Sequence, residues 1–103
     1  KEAVIYVGSE EAITEFEASL SADVLAQYKV VAHYHPAESS PDNFSSLLKS
    51  ESVARAIFAP KQTEFGELAE LIEICELQGV EAWISAGFLQ AQVARWMGWL
   101  NRS

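Results

Sequence analysis

Cysteine and basic residues are scarce in this chain of 103 residues, and each scarcity excludes a class of protein. The single cysteine, Cys75, rules out an internal disulfide and any metal site built from several thiolates. Seven bases stand against fifteen acids, for a formal net charge of -8, and an acidic surface repels nucleic acids and anionic lipids. No apolar run approaches the roughly 20 residues of a membrane span, and no signal peptide is present. We therefore expect a soluble domain without nucleic-acid partners and without a membrane span of its own.

The apolar content is sufficient for a compact fold. Half of the residues are hydrophobic, which is enough to build one core in a chain of this length. The chain opens at Lys1, without a methionine and directly before an apolar strand pattern, and it stops at Ser103. We expect residues 1–103 to form a single domain that belongs to a longer protein.

The middle of the chain carries the clearest secondary-structure pattern. Residues 54–59 are a short apolar run, typical of a buried strand. Residues 64–78 have apolar side chains three or four apart in two rows, which indicates a helix covered on more than one side. Gly79 is typical of a left-handed helix end, and residues 80–84 read as the next strand. A helix between two strands predicts a right-handed crossover in a parallel sheet.

The rest of the chain repeats this alternation. Residues 3–7 are an unbroken apolar strand, and Ser9 is placed to cap the helix that follows. Further predicted elements are a polar connection over 21–27, a strand over 28–34, a loop over 35–43, a helix over 44–51 capped by Asp42 or Asn43, and a terminal helix over 88–100. Four strands alternating with helices predict an α/β fold, a three-layer Rossmann-like sandwich over a four-stranded parallel sheet of order 2-1-3-4.

In that order the sheet has its switch point between the strands that end at Val7 and Ala59, where open sheets of this kind bind ligands. The residues that follow these two strands are therefore the candidate nucleotide-binding positions, namely Gly8, Ser9, Ala59, Pro60 and Lys61. Lys61 could meet an anion there, although a solvated lysine is the simpler interpretation.

The turn after the first strand departs from a dinucleotide-binding sequence. Gly8 matches the first glycine of G-x-G-x-x-G, but Glu10 and Ile13 stand at the second and third glycine positions. Glu10 brings a side chain and a negative charge to the place where a phosphate would bind, at a cost of about 1 kcal/mol. We expect no bound cofactor.

No other residues form a recognisable catalytic or metal-binding pattern. His33 and His35 could begin a metal site, but no third ligand follows at a known spacing, so solvated or hydrogen-bonded histidines at a strand end are favoured. The glutamates that recur every third residue from Glu64 to Glu76 indicate a solvated helix face. Cys75 lies in an apolar row and is predicted to be a small buried residue. We predict no catalytic residue in this chain.

The end of the chain is rich in large apolar side chains. Trp96, Met97, Trp99 and Leu100 lie within five positions. Core packing explains Trp96, whereas Trp99 is either part of the same core or an exposed contact. Residues 88–100 are therefore a candidate surface for homo-oligomer formation.

Three segments resemble one bacterial family. These are residues 4–8, residues 56–59 and above all residues 74–84, ICELQGVEAWI. Together they are similar to the central soluble domain of the polyprenyl-phosphate glycosylphosphotransferases, the sugar transferases that initiate exopolysaccharide synthesis. The similarity covers nearly the whole chain and consists mainly of strand and helix-end patterns.

The resemblance implies a place in a larger enzyme. In that family a membrane-helix region precedes a Rossmann-like domain of the CoA-binding or nucleotide-binding type. A catalytic domain follows, which transfers a sugar 1-phosphate from a UDP-sugar to a lipid-phosphate carrier at the cytoplasmic face of the inner membrane. The neighbouring domains of the parent chain would be the partners, and no catalytic residue carries over to this segment. The charged turn after Gly8 and the loop at 37–43, where family members often insert a short strand, depart from the family pattern.

Overall fold

The computed structural model describes residues 1–59 and 65–85, and these form an α/β fold around a four-stranded sheet. The strands are β1 (Glu2–Val7), β2 (Tyr28–Tyr34), β3 (Arg55–Phe58) and β4 (Glu81–Ile84). The helices are α1 (Glu10–Ala18), α2 (Ala22–Leu25), α3 (Pro41–Ser50) and α4 (Phe65–Leu77), and Pro36–Glu38 is a 3-10 turn. All pairings are parallel, and the order β2-β1-β3-β4 confirms the predicted topology.

The sheet is covered on both faces because successive residues of β1 point in opposite directions. Val4 and Tyr6 pack with Ile13 of α1 on one face, called here the α1 face. Ile5 and Val7 contribute to a larger cluster on the other face, the α3/α4 face. Its members from the two helices are Phe44, Leu48, Leu68, Leu71 and Cys75. The helices on the two sides confirm the three-layer arrangement.

The central helix is less widely covered than its two apolar rows predict. Leu68, Leu71 and Cys75 are buried, whereas Ala69 is exposed and Leu77 is 80% exposed. The four described glutamates of the regular series, Glu67, Glu70, Glu73 and Glu76, are exposed as predicted. Both rows therefore contribute to one buried face, since Leu71 of the second row is buried and Ile74 packs against the same cluster, whereas Ala69 and Leu77 lie outside it.

The end of α4 follows the predicted geometry. Gly79 has a φ of 71°, in the left-handed region, and the Val80 amide donates to the Cys75 carbonyl at 2.8 Å. This hydrogen bond spans the helix end in the manner of a Schellman cap and turns the chain directly into β4.

Two predictions for the connections were wrong. Residues 21–27 contain the short helix α2, capped by the Ser21 side chain, instead of an irregular connection. The helix α3 begins at Pro41, and its cap is Ser40 instead of Asp42 or Asn43. Proline fits the first turn of a helix because its missing N–H would have no partner there, so Pro41 extends the helix and does not exclude it.

Among the described residues, no helix is long and apolar enough to cross a membrane. The terminal segment 88–100, with its predicted helix and its tryptophans, lies outside the described residues.

Candidate functional site

The carboxyl ends of the strands bring together the residues that the sequence analysis selected at the switch point. The Ala59 amide donates to the Val7 carbonyl at 2.8 Å, which extends the β1–β3 pairing past the end of β3. The Gly8 amide donates to the Tyr34 carbonyl at 3.0 Å, which extends the β1–β2 pairing in the same way. Gly8 and Ala59 therefore lie side by side, whereas Pro60 and Lys61 lie outside the described residues.

Gly8 is required by the packing of the strand ends. Its φ is 153°, and a Cβ built on it would lie 2.6 Å from the carbonyl oxygen of Ala59. No side chain fits at that distance, so the approach of the β3 end accounts for the glycine without a ligand. The presence of Gly8 is consequently no argument for a phosphate at this turn.

The start of α1 is capped by the protein itself. Ser9 has extended backbone geometry, and its hydroxyl oxygen accepts a hydrogen bond from the Ala12 amide at 3.1 Å. Glu10 and Glu11 occupy the first turn, where their negative charges interact favourably with the positive end of the helix. The Ala12 amide, which could donate to an anionic ligand, therefore already donates to Ser9. The positive end of the helix already interacts with two carboxylates.

Glu10 is also the centre of a polar cluster that we call the Glu10–His33–His35 cluster. Its Oε1 atom lies 3.2 Å from His33 Nδ1, and its Oε2 atom lies 3.6 Å from His35 Nε2. The His35 ring also donates through Nδ1 to the Gly8 carbonyl oxygen at 2.6 Å. The cluster therefore ties together the end of β1, the end of β2 and the first turn of α1.

The predicted hydrogen-bonded histidines at a strand end are confirmed, but their shared partner was missed. His33 and His35 lie 23 and 25 positions from Glu10, so no linear motif contains all three. The cluster arises because parallel strands end at the same edge of the sheet, where the helix after β1 begins. In residues 1–59 and 65–85, no group of three or more histidine, cysteine or acidic residues is arranged to hold a metal ion.

Cys75 cannot act as a nucleophile in this fold. It is fully buried on the α3/α4 face, and burial, with a smaller contribution from Glu76, raises the pKa of its thiol to about 12. The thiol is therefore protonated at neutral pH, whereas the thiolate is the reactive form. The prediction of a small buried residue is confirmed.

A second polar cluster lies at the amino-terminal ends of the strands, opposite the switch point, around Arg55 at the start of β3. Arg55 forms ion pairs with Glu2 at 3.0 Å and with Glu81 at 3.3 Å, and its side chain is only 13% exposed. Trp83 and Tyr28 place their rings against the guanidinium. Its charge is paired with two carboxylates and its guanidinium lies over Trp83, so this group stabilises the sheet, although Arg55 Nε is buried with no hydrogen-bond partner.

No protein-family model matches the chain, and no curated protein matches it either.

Proposed function

We propose that this chain is a non-catalytic module of a bacterial polyprenyl-phosphate glycosylphosphotransferase, the enzyme class that moves a sugar 1-phosphate from a UDP-sugar to a polyprenyl-phosphate carrier. In that role the module serves regulation, assembly or positioning at the cytoplasmic face of the inner membrane. Its partners are the membrane and catalytic domains of the same parent chain. The proposal rests on the sequence resemblance and on the geometry of the switch point.

One observation carries the non-catalytic part of the proposal. The start of α1 is occupied by the protein's own groups, because Ser9 caps the helix and Glu10 is held beside it by His33 and His35. A nucleotide phosphate at this position would meet the Glu10 carboxylate, and the Ala12 amide would already donate to Ser9. Like charges at a helix start cost about 1 kcal/mol, and a displaced cap costs about as much again. The scaffold is that of a nucleotide-binding fold, with its anion position already filled.

The second candidate is a degenerate site for a nucleotide, a UDP-sugar or CoA. The switch point between β1 and β3 favours it, because ligands of open parallel sheets bind at this position. A ligand would then lie over Gly8, Ser9 and Ala59 and would use Pro60 and Lys61 from the segment that follows. Binding would require Glu10 to move away from the helix start.

Isothermal titration with UDP-glucose, NAD and coenzyme A separates the two candidates. A non-catalytic module gives no measurable heat of binding with any of the three ligands. Micromolar binding that is lost in Lys61→Ala would overturn the proposal and establish the second candidate. Gly8→Val is unsuitable for this test, because its side chain would collide with the Ala59 carbonyl whether or not a ligand binds.

A charge-removal variant tests the physical reason for the absence of binding. Glu10→Gln removes the negative charge at the start of α1, so phosphate-containing ligands should bind more tightly to it than to the parent chain. Glu73→Gln is the matched control, because it removes one exposed glutamate charge from α4 on the other face of the sheet. Equal behaviour of the two variants would mean that Glu10 does not exclude phosphate.

The assignment of the chain to the transferase family is tested by the sequence of the gene that encodes it. Membrane-spanning segments encoded upstream and a basic, carboxylate-bearing catalytic segment downstream are the expected result. A gene without either feature would refute the assignment to the transferase family, independently of the ligand titrations.

A further inference from the structure

The Glu10–His33–His35 cluster joins three parts of the chain that are distant in sequence. Glu10 belongs to α1, His33 to β2, and His35 to the connection between β2 and the 3-10 turn. The same connection is held by the Tyr34 hydroxyl, which donates to the Ser40 carbonyl at 2.7 Å. The cluster thus determines how the connection after β2 lies against the start of α1.

The hydrogen-bond pattern determines which nitrogen of His35 carries a proton. The Gly8 carbonyl oxygen can only accept, so the Nδ1 atom 2.6 Å away must be the donor. In the neutral ring the Nε2 atom then bears a lone pair, and this lone pair faces the Glu10 carboxylate at 3.6 Å. In the protonated ring the same atom carries a hydrogen and a share of the positive charge. The contact changes from unfavourable to attractive when one proton is added.

Glu10 is the charged group that contacts both imidazoles of the cluster. From α1 the cluster meets Glu10, and from β1 it meets the Gly8 carbonyl and the Tyr6 ring, which lies 5.6 Å from the His33 ring. From β2, the His33 ring lies 6.4 Å from that of His35. Glu17, further along α1, acts on the Tyr6 hydroxyl. Within residues 1–59 and 65–85, the contacts shown for the two imidazoles are therefore with the Glu10 carboxylate, the Gly8 carbonyl and the Tyr6 ring.

We propose that the cluster is a proton-dependent latch, in which protonation of His35 draws the connection after β2 onto the start of α1. Imidazole is the side chain that ordinarily changes charge between pH 5 and 8, so the latch is tight at the acidic end of that interval and loose at the alkaline end. The chain is thereby able to respond to pH at the edge of the sheet where its fold would bind ligands. This inference rests on the contacts alone and is independent of the proposed function.

Hydrogen exchange of two amides reports the state of the latch. The Gly8 amide bonds to the Tyr34 carbonyl, and the Glu38 amide bonds to the His35 carbonyl at 2.9 Å. Their protection factors, which correct for the intrinsic pH dependence of exchange, are measured at pH 5.5 and pH 8 in the presence of EDTA. We expect protection to be about two- to fivefold higher at pH 5.5, the size typical of a partly exposed ion pair.

Two variants remove the latch without removing its supporting bonds. His35→Asn keeps an N–H near the position of Nδ1, so the bond to Gly8 is retained while the atom facing Glu10 is lost. Glu10→Gln keeps the shape of the side chain and removes its charge. In both variants the protection factors should become equal at the two pH values, and in the control Glu73→Gln the difference should persist.

The proposal is refuted by equal protection at the two pH values in the unaltered chain. It is also refuted by a pH-dependent difference that persists in Glu10→Gln and in His35→Asn. Circular dichroism at both pH values shows whether each variant is folded. If His35→Asn fails to fold, His35→Gln replaces it. A double-mutant cycle of His35→Gln with Glu10→Gln then gives the same readout, as a coupling that is present only at pH 5.5.

Discussion

The guanidinium carbon of Arg55 lies over the Trp83 ring, 4.0 Å from its centre, so a charged group contacts the face of an indole between neighbouring strands. The two residues are brought together by the β3–β4 register, in which Arg55 pairs with Glu81 and Ile57 pairs with Trp83. Tyr28 of β2 lies on the other side, 5.7 Å from the same carbon. One arginine therefore connects β2, β3 and β4 across the α1 face of the sheet.

Arg55→Ala should destabilise the fold by about 1–3 kcal/mol, because it removes a stacked, largely buried cation together with its aliphatic stem. Arg55→Lys should lose roughly half as much, since lysine keeps the charge but has no flat face to stack on Trp83. Urea unfolding followed by circular dichroism measures both free energies. Equal losses for the two variants would mean that the charge contributes nothing, whereas an Arg55→Lys variant as stable as the parent chain would mean that charge, and not stacking, is responsible.

The Glu81 carboxylate should titrate differently in Trp83→Phe. The indole Nε1 donates to Glu81 Oε1 at 2.7 Å, and this bond, with Arg55 as a further cause, holds the pKa of Glu81 below its usual range. Phenylalanine has no donor, so the pKa should rise towards the ordinary value for glutamate. A lowered folded-state pKa means that the pair contributes stability above the range in which glutamate ordinarily titrates, and that this contribution is lost as the pH falls. Carbon-detected NMR titration of the Glu81 side chain follows the change, and an unshifted midpoint in Trp83→Phe would contradict it.

Gly8→Ala should be more destabilising than Gly79→Ala, although both glycines have positive φ. A Cβ on Gly8 would meet the Ala59 carbonyl oxygen at 2.6 Å, whereas a Cβ on Gly79 would meet nothing within 4 Å. Gly79→Ala should therefore lose only the backbone cost of a left-handed alanine, about 1 kcal/mol of unfolding free energy. Gly8→Ala should lose about 1–3 kcal/mol more because of the collision. Chemical unfolding of the two variants side by side provides the comparison. Similar losses would show that the strand ends separate easily to admit a side chain.

The stability of the fold should decline at alkaline pH, in part through Cys75. Burial raises the pKa of this thiol to about 12, so the folded state retains a proton that the unfolded chain releases earlier. The stabilising contribution is complete below the ordinary thiol pKa of roughly 8.5 and is lost as the pH rises towards the folded-state value. Burial also raises the pKa values of Tyr6 and Tyr34, which act in the same direction.

Urea midpoints between pH 8 and pH 11 test this expectation. Cys75→Ala should be less stable than the parent chain at pH 8 because of the cavity, but its stability should fall less steeply with increasing pH. Thiol labelling provides an independent check, since Cys75 should react with Ellman's reagent only after unfolding. Rapid labelling of the folded chain at pH 8 would show that the thiol is accessible.

Much of the fold follows from local patterns in the chain. The unbroken apolar run before Gly8 and the strand at 28–34 indicated strands close to their observed bounds, and Ser9 and Gly79 marked helix ends correctly because capping depends on the nearest few residues. Errors arose where two local signals compete. Pro41 and Ser40 are typical of turns as well as of helix starts, and only the packing of Phe44 and Leu48 against the sheet decides between them.

The alternation of strands and helices, and the lack of the second and third glycines of a dinucleotide-binding turn after Gly8, can be read from the linear chain. Hydrophobic periodicity and residue identity encode these two features within short windows of the chain, whereas the strand order was an expectation that the sheet pairing confirms. The fold was needed to show that Glu10 contacts His33 and His35, that Gly8 lies against Ala59, and that Arg55 lies over the Trp83 ring. These contacts join residues more than 20 positions apart, and the physical reason is that strand pairing places such residues side by side while leaving no trace in the linear spacing.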